Sequence, residues 1–245
     1  MTIAVRGAVG TITMRAGRTG NALDLDLQQA LAEACEVVDA DERVRVVVLA
    51  GAGRRFCTGL PAGCRWPPPE WPDAVAAVAG VRKPILAAVT GDARGWGMAL
   101  ALACDLRVMA TTAALELPAP VDGGFPGGGV TQRITRLIGP GRASRLLMLG
   151  GRLSARRAAA WGVADRIATP ARVPATTAAL ARRIAGHGPL AVCYAKEAIQ
   201  RALDLPLDDG IRLEHDLYVL LQTTADRREG VRAFVERRRP DFRGH

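Results

Sequence analysis

Three short apolar runs constrain this chain more than anything else in it. Val44 to Ala50 is an almost unbroken string of β-branched and aliphatic residues, and Ile85 to Val89 and Leu106 to Ala110 repeat the pattern. Strands with one wet face alternate apolar and polar side chains; runs without alternation are covered on both faces, as in a parallel sheet. The second run leads through a glycine-containing turn into an Ala/Leu-rich helix around Met98 to Ala103, and the third run follows at once. Strand, helix, strand in that order implies right-handed βαβ connections and an α/β fold.

The flanking segments fill in around that core. Ile3 to Val5 and Val9 to Thr13 read as strands, and Leu23, Leu27, Leu31, Ala34 and Val38 share one helical face, with Asp24 and Asp26 in the first turn where negative charge suits the helix dipole. From Thr131 onward the spacing is helical, with breakers at Gly139-Pro140, Gly150-Gly151, Gly188-Pro189 and Pro206. The expectation is a sheet-rich core and a helical tail from about residue 140. Trp66 to Pro72 (WPPPEWP) reads as a surface loop, since consecutive prolines cannot continue a helix or join a central ladder. No sequence repeat is visible.

Composition narrows the function classes. With 245 residues and 49% hydrophobic content the chain can bury a substantial core. No apolar run approaches the roughly 18 residues that span a bilayer, and Met1 to Met14 lacks the layout of an export signal, so no membrane partner and a cytoplasmic location are expected. Five cysteines without a CxxC pair suit reduced, mostly buried thiols. The net charge of +9 fits either nucleic acid or a highly anionic small ligand. Arginines are spread along the chain with one tight cluster at Arg237 to Arg239, and aromatics make up 4%; no stacking platform or nucleic-acid module is visible, so no nucleic-acid partner is expected. His187, His215 and His245 have no partners at ligand spacing, and no metal is expected.

Two strand-to-helix junctions could carry chemistry: Gly51 to Leu60, after the first buried run, and Gly91 to Gly97, opening the Ala/Leu-rich helix. Glycines there allow close backbone approach to a ligand, and free amides at a helix start can stabilise a developing anion. Each junction alone reads more simply as a tight turn, because a lone glycine cluster is a weak signal. Phosphate-loop readings fail, because no GxxxxGK[ST] exists and Phe56 stands where a dinucleotide fingerprint needs a small residue.

Taken together, Asn21-Ala22-Leu23, VRVVVLAGAGRRFCTG, KPILAAVTG with GWGMALALACDLRV, GFPGGGVTQRITRLIG and DRREGVRAFVERRRPDF resemble the crotonase (enoyl-CoA hydratase/isomerase) superfamily, in order over nearly the whole chain. The resemblance implies a crotonase-like spiral of ββα units over residues 1–190 and a helical trimerisation region over 191–245. It implies binding of acyl-CoA thioesters, with coenzyme A entering as part of the substrate and no separate cofactor, and assembly as a homotrimer or dimer of trimers. Two backbone amides that hold the thioester oxygen as an enolate forms map to Leu60 and Trp96. Coenzyme A contacts map to the backbone around Gly20 and Ala22 and to Phe234 and Arg237, the last two often reaching a neighbouring subunit's site.

The chain departs from the family pattern where a hydratase carries two glutamates: those positions are Ala99 and Ala119. Alanine neither orients water nor moves a proton, so two-glutamate hydration is not expected. Leu60 and Trp96 are bulkier than the residues usual at their positions, and Pro61 replaces a usual Asp, but none of these changes deletes the Leu60 or Trp96 amide. Asp122 is the leading candidate for a proton carrier, with Glu116 and Asp92 as further carboxylates on the same loops; Asp122 also reads as a turn residue before two glycines. Asp105 reads as structural. The alternative to an enzyme is a non-catalytic acyl-CoA-binding protein that keeps the pocket.

Overall fold

The computed structural model describes residues 1–118 and 125–245. The chain opens with an antiparallel hairpin, β1 (Thr2–Arg6) and β2 (Val9–Met14), followed by helix α1 (Leu25–Ala40). Asp24 lies just outside α1 as its N-cap, its carboxylate accepting from the Leu27 amide at 2.9 Å, and satisfies a donor the helix itself cannot. The three apolar runs become β3 (Val46–Gly51), β4 (Ile85–Val89) and β6 (Leu106–Ala110), and every residue of β4 is buried. They join a six-stranded sheet of order β1-β2-β3-β4-β6-β9, where β9 is Arg166–Ala168 and every pairing except β1 with β2 is parallel. The sequence-level expectation of an α/β core therefore holds.

Between β3 and β4 lies helix α2 (Ala74–Gly80); between β4 and β6 come the two-residue β5 (Ala93–Arg94) and helix α3 (Trp96–Ala103). Helix α3 is buried at all of its residues, as its uniformly apolar composition requires. After β6 come β7 (Ala114–Leu117), α4 (Val130–Ile138) and α5 (Pro140–Leu149). Two-strands-then-helix thus recurs along the chain, and α1 through α4 pack in succession.

The expected all-helical stretch after residue 140 is interrupted by two strands, β8 (Gly151–Ser154) and β9 (Arg166–Ala168), on either side of α6 (Ala155–Ala160). β9 closes the large sheet beside β6, while β8 pairs with β7 in a small sheet of order β5-β7-β8. A 3₁₀ turn (Pro170–Arg172) leads into α7 (Val173–Ala185), which lies across β2, β3, β4 and β6. The chain ends in α8 (Pro189–Arg201), α9 (Leu207–Gln222) and α10 (Ala225–Val235), making ten α-helices among the described residues.

Two buried cations tie these layers. Arg107 is 4% exposed, burial lowers its pKa, and its guanidinium donates to the carbonyls of Val163, Ala101, Cys104 and Asp105. Lys196 of α8 reaches Asp105 at 2.8 Å, and Asp105 also accepts from the Ile85 amide, which is the structural role expected of it.

Candidate active site

The first glycine junction, at the end of β3, is fixed to the start of the chain by Asn21. Its side chain is fully buried: Oδ1 accepts from the Ala16 amide at 2.9 Å, and Nδ2 donates to the carbonyls of Ala52, Arg55 and Phe56 at 3.0–3.1 Å. Nearby, the Leu23 amide donates to the Gly59 carbonyl at 2.8 Å and the Thr58 amide to the Gly20 carbonyl at 3.1 Å. Gly20 and the buried Ala22 are thereby held beside the 57–60 segment.

The two junctions then lock onto each other. The amides of Phe56 and Arg94 donate across to the carbonyls of Asp92 and Cys57, and Cys57 bridges Ala93 in parallel. Contact is too close for side chains: a Cβ on Gly97 would stand 2.2 Å from the Cys57 carbonyl oxygen, and one on Gly59 (φ +88°) would stand 2.7 Å from the Arg94 oxygen and 3.2 Å from the Trp96 nitrogen. The Gly95 amide is anchored to the Glu116 carbonyl at 2.8 Å, leaving Trp96 as the first residue of α3.

Leu60 and Trp96, the predicted oxyanion donors, line one cavity of about 290 Å³ together with Thr58, Gly59, Cys64, Leu117, Phe125 and Leu147. Among the described residues neither amide has a protein acceptor. Leu117, Pro118, Phe125, Pro126 and Leu147 give the lining its apolar part, and among the described residues its ionisable side chains besides Cys64 are Arg65 and Arg94. Cys57, directly behind Gly59, is pushed up to about 12 by burial, with the Gly59 amide contact to its sulfur a smaller opposing influence. A thiol so held is not a nucleophile at neutral pH.

Other sequence candidates fall elsewhere. Asp122 and Ala119 lie outside the described residues. Asp92 and Glu116 do not line the cavity; both pair with Arg152 of β8, at 3.1 and 3.2 Å, and Asp92 also accepts from the Ala114 amide at 2.8 Å. This engagement removes them as free proton carriers and makes them a brace for the second junction. Phe234 is 86% exposed at the end of α10, and Arg237 follows with a left-handed backbone at φ +53°; neither lines the cavity in this chain. Ala99 is fully buried on α3. Two larger or comparable clefts, of about 1060 and 320 Å³, border the C-terminal helices and contain neither amide.

The family model described as Enoyl-CoA hydratase/isomerase matches residues 4–245. The (E)-benzylidenesuccinyl-CoA hydratase of Thauera aromatica is 35% identical over 253 residues, covering 100% of this chain and 99% of that protein. The 1,2-epoxyphenylacetyl-CoA isomerase of Escherichia coli (strain K12) is 32% identical over 253 residues, covering 98% and 97%. The crystal structure of enoyl-CoA hydratase subunit I from Geobacillus kaustophilus HTA426 superposes with a TM-score of 0.92 at 39% identity, covering 100% of this chain and 98% of that one. By sequence and by fold alike, the chain belongs to the enoyl-CoA hydratase/isomerase family of the crotonase superfamily.

Proposed function

We propose that this chain binds acyl-CoA thioesters and stabilises a thioester enolate between the Leu60 and Trp96 amides, without adding water by the two-glutamate route. The observation that carries the reading is a pair of main-chain amides, unpartnered among the described residues, whose residues two interlocked junctions bring to one cavity. A preorganised donor of this kind is worth roughly 3–4 kcal/mol of barrier when charge develops on the bound oxygen. Ala99 and Ala119 supply no acid or base, and positioned proton transfer contributes about 10²–10⁴-fold. Enolate chemistry that needs no added water, such as decarboxylation or double-bond isomerisation, suits what remains.

In this reading Asp122 carries the proton, and coenzyme A lies along the backbone at Gly20 and Ala22. Phe234 and Arg237 serve the site of a neighbouring subunit in a homotrimer or dimer of trimers. The high exposure of Phe234, beside exposed Val231 and Val235, supports that role. A second reading, non-catalytic acyl-CoA binding, is favoured by the lack of any carboxylate among the described cavity residues.

One experiment separates the two. Propionyl-CoA and crotonyl-CoA are incubated with the protein in D₂O and followed by mass spectrometry. The enzyme reading expects α-deuterium in propionyl-CoA, loss of that exchange in Asp122→Ala, and no hydration of crotonyl-CoA. Binding without exchange establishes the second reading, and ready hydration of crotonyl-CoA overturns the departure from two-glutamate chemistry.

A further inference from the structure

The Trp96 indole does more than stand beside the amide that its backbone supplies. The ring is 8% exposed and is pressed against the loop leading into α4: a Cβ on Gly127 would lie 2.6–2.8 Å from three indole atoms, Cζ2, Cε2 and Nε1. A Cβ on Gly128 would lie 2.7 Å from the Ala99 Cβ and 3.2 Å from the indole Cε3. Only glycine fits over the ring at these two places, so loop, indole and Ala99 are stacked without slack. Trp66 of the proline-rich loop meets the indole edge-on, with centroids 5.5 Å apart and planes at 85°, a favourable geometry for two aromatic rings.

From these contacts we infer that Trp96 is the size gate of the acyl cavity, so that the chain accepts short, compact acyl thioesters and excludes long ones. The inference rests on the acyl-CoA reading above. The indole cannot rotate aside without displacing both the Gly127–Gly128 loop and Trp66, so the wall is stiff. The cavity it bounds, at about 290 Å³, stands at the lower edge of ligand-sized pockets, which run from roughly 300 to 1,000 Å³. Leu60, Leu117, Phe125 and Leu147 complete an apolar lining suited to a hydrocarbon group of limited length. Against a stiff wall, discrimination is steep, since a single methylene in such a pocket changes binding by about 10–200-fold.

The test is a chain-length ladder. Calorimetric Kd values for CoA and for acetyl-, butyryl-, hexanoyl- and decanoyl-CoA are measured for the wild type, Trp96→Phe, Trp96→Ala and Gly127→Ala, and each acyl value is expressed relative to acetyl-CoA in the same protein. The wild type is expected to weaken at least about tenfold between butyryl- and decanoyl-CoA. Trp96→Phe and Trp96→Ala move the cut-off to longer chains by a similar factor, and Gly127→Ala, whose added Cβ crowds the indole from the loop side, moves it to shorter ones. Should Trp96→Ala fail to fold, Trp96→Phe and Gly127→Ala still shift the ladder in opposite directions. A wild type that holds decanoyl-CoA as tightly as acetyl-CoA, or a ladder that no variant shifts, overturns the gate. Failure of the wild type to bind CoA or any thioester instead overturns the acyl-CoA reading beneath it.

Discussion

Asn21 holds four main-chain groups with one amide side chain, and it does so from a left-handed backbone at φ +60° that non-glycine residues seldom adopt. Asn21→Ala would leave the Ala16 amide and the carbonyls of Ala52, Arg55 and Phe56 without this partner. Each buried polar group so abandoned costs about 1–3 kcal/mol, so the expected loss is at least about 3 kcal/mol in urea unfolding. Asn21→Gly relieves the backbone but not the hydrogen bonds, and its loss should be smaller. Equal stability of all three proteins would remove Asn21 as the knot. Three of its four partners stand 31 to 35 positions away, which is why the sequence displays it only as part of an Asn-Ala-Leu motif. The two junctions were legible for the opposite reason, since glycine is the local mark of close backbone approach; Leu60 and Trp96 within them came from the family resemblance.

At the level of elements, the central parallel strands β3, β4 and β6 could be read directly, with β4 and β6 matching to the residue, because strands covered on both faces carry their own signal. β8 and β9 could not. GRLS and RIA are too short to show a period, and pairing with β7 and β6 gives them their form. Missing β8 meant missing Arg152, whose guanidinium bridges Asp92 within the second junction and Glu116 across from it, the residue whose carbonyl anchors the Gly95 amide. Arg152 is half exposed, so the pair should contribute under about 1 kcal/mol to stability. Its larger effect is geometric, since small misplacements of a reacting group cost up to about 10²-fold. Arg152→Ala is therefore expected to leave the urea midpoint nearly unchanged while slowing α-proton exchange about tenfold, with Arg152→Lys recovering part of the rate. A large stability loss with an unchanged exchange rate would make Arg152 a purely structural brace.

Across the whole molecule, one core runs from the hairpin to α7, and three thiols are sealed inside it: Cys35, Cys57 and Cys104. Burial, the first cause in each case, raises all three from about 9 to about 12. The folded protein therefore keeps protons that the unfolded chain releases above pH 9. The stability these neutral thiols contribute is complete below pH 9 and is lost as pH rises toward 12, by about 1 kcal/mol per pH unit for each thiol inside that window. The chain is well suited to reveal this, because only Lys83 and Lys196 among its 33 basic residues are lysines, and arginines keep their charge throughout the window. Urea midpoints should be flat from pH 7 to 8.5 and fall steadily from 9 to 11. Cys57→Ala, whatever its cost at pH 8, should show a shallower alkaline slope than the wild type. Parallel slopes for the two proteins would mean that the Cys57 proton is not retained on folding, and that the core around the first junction admits water.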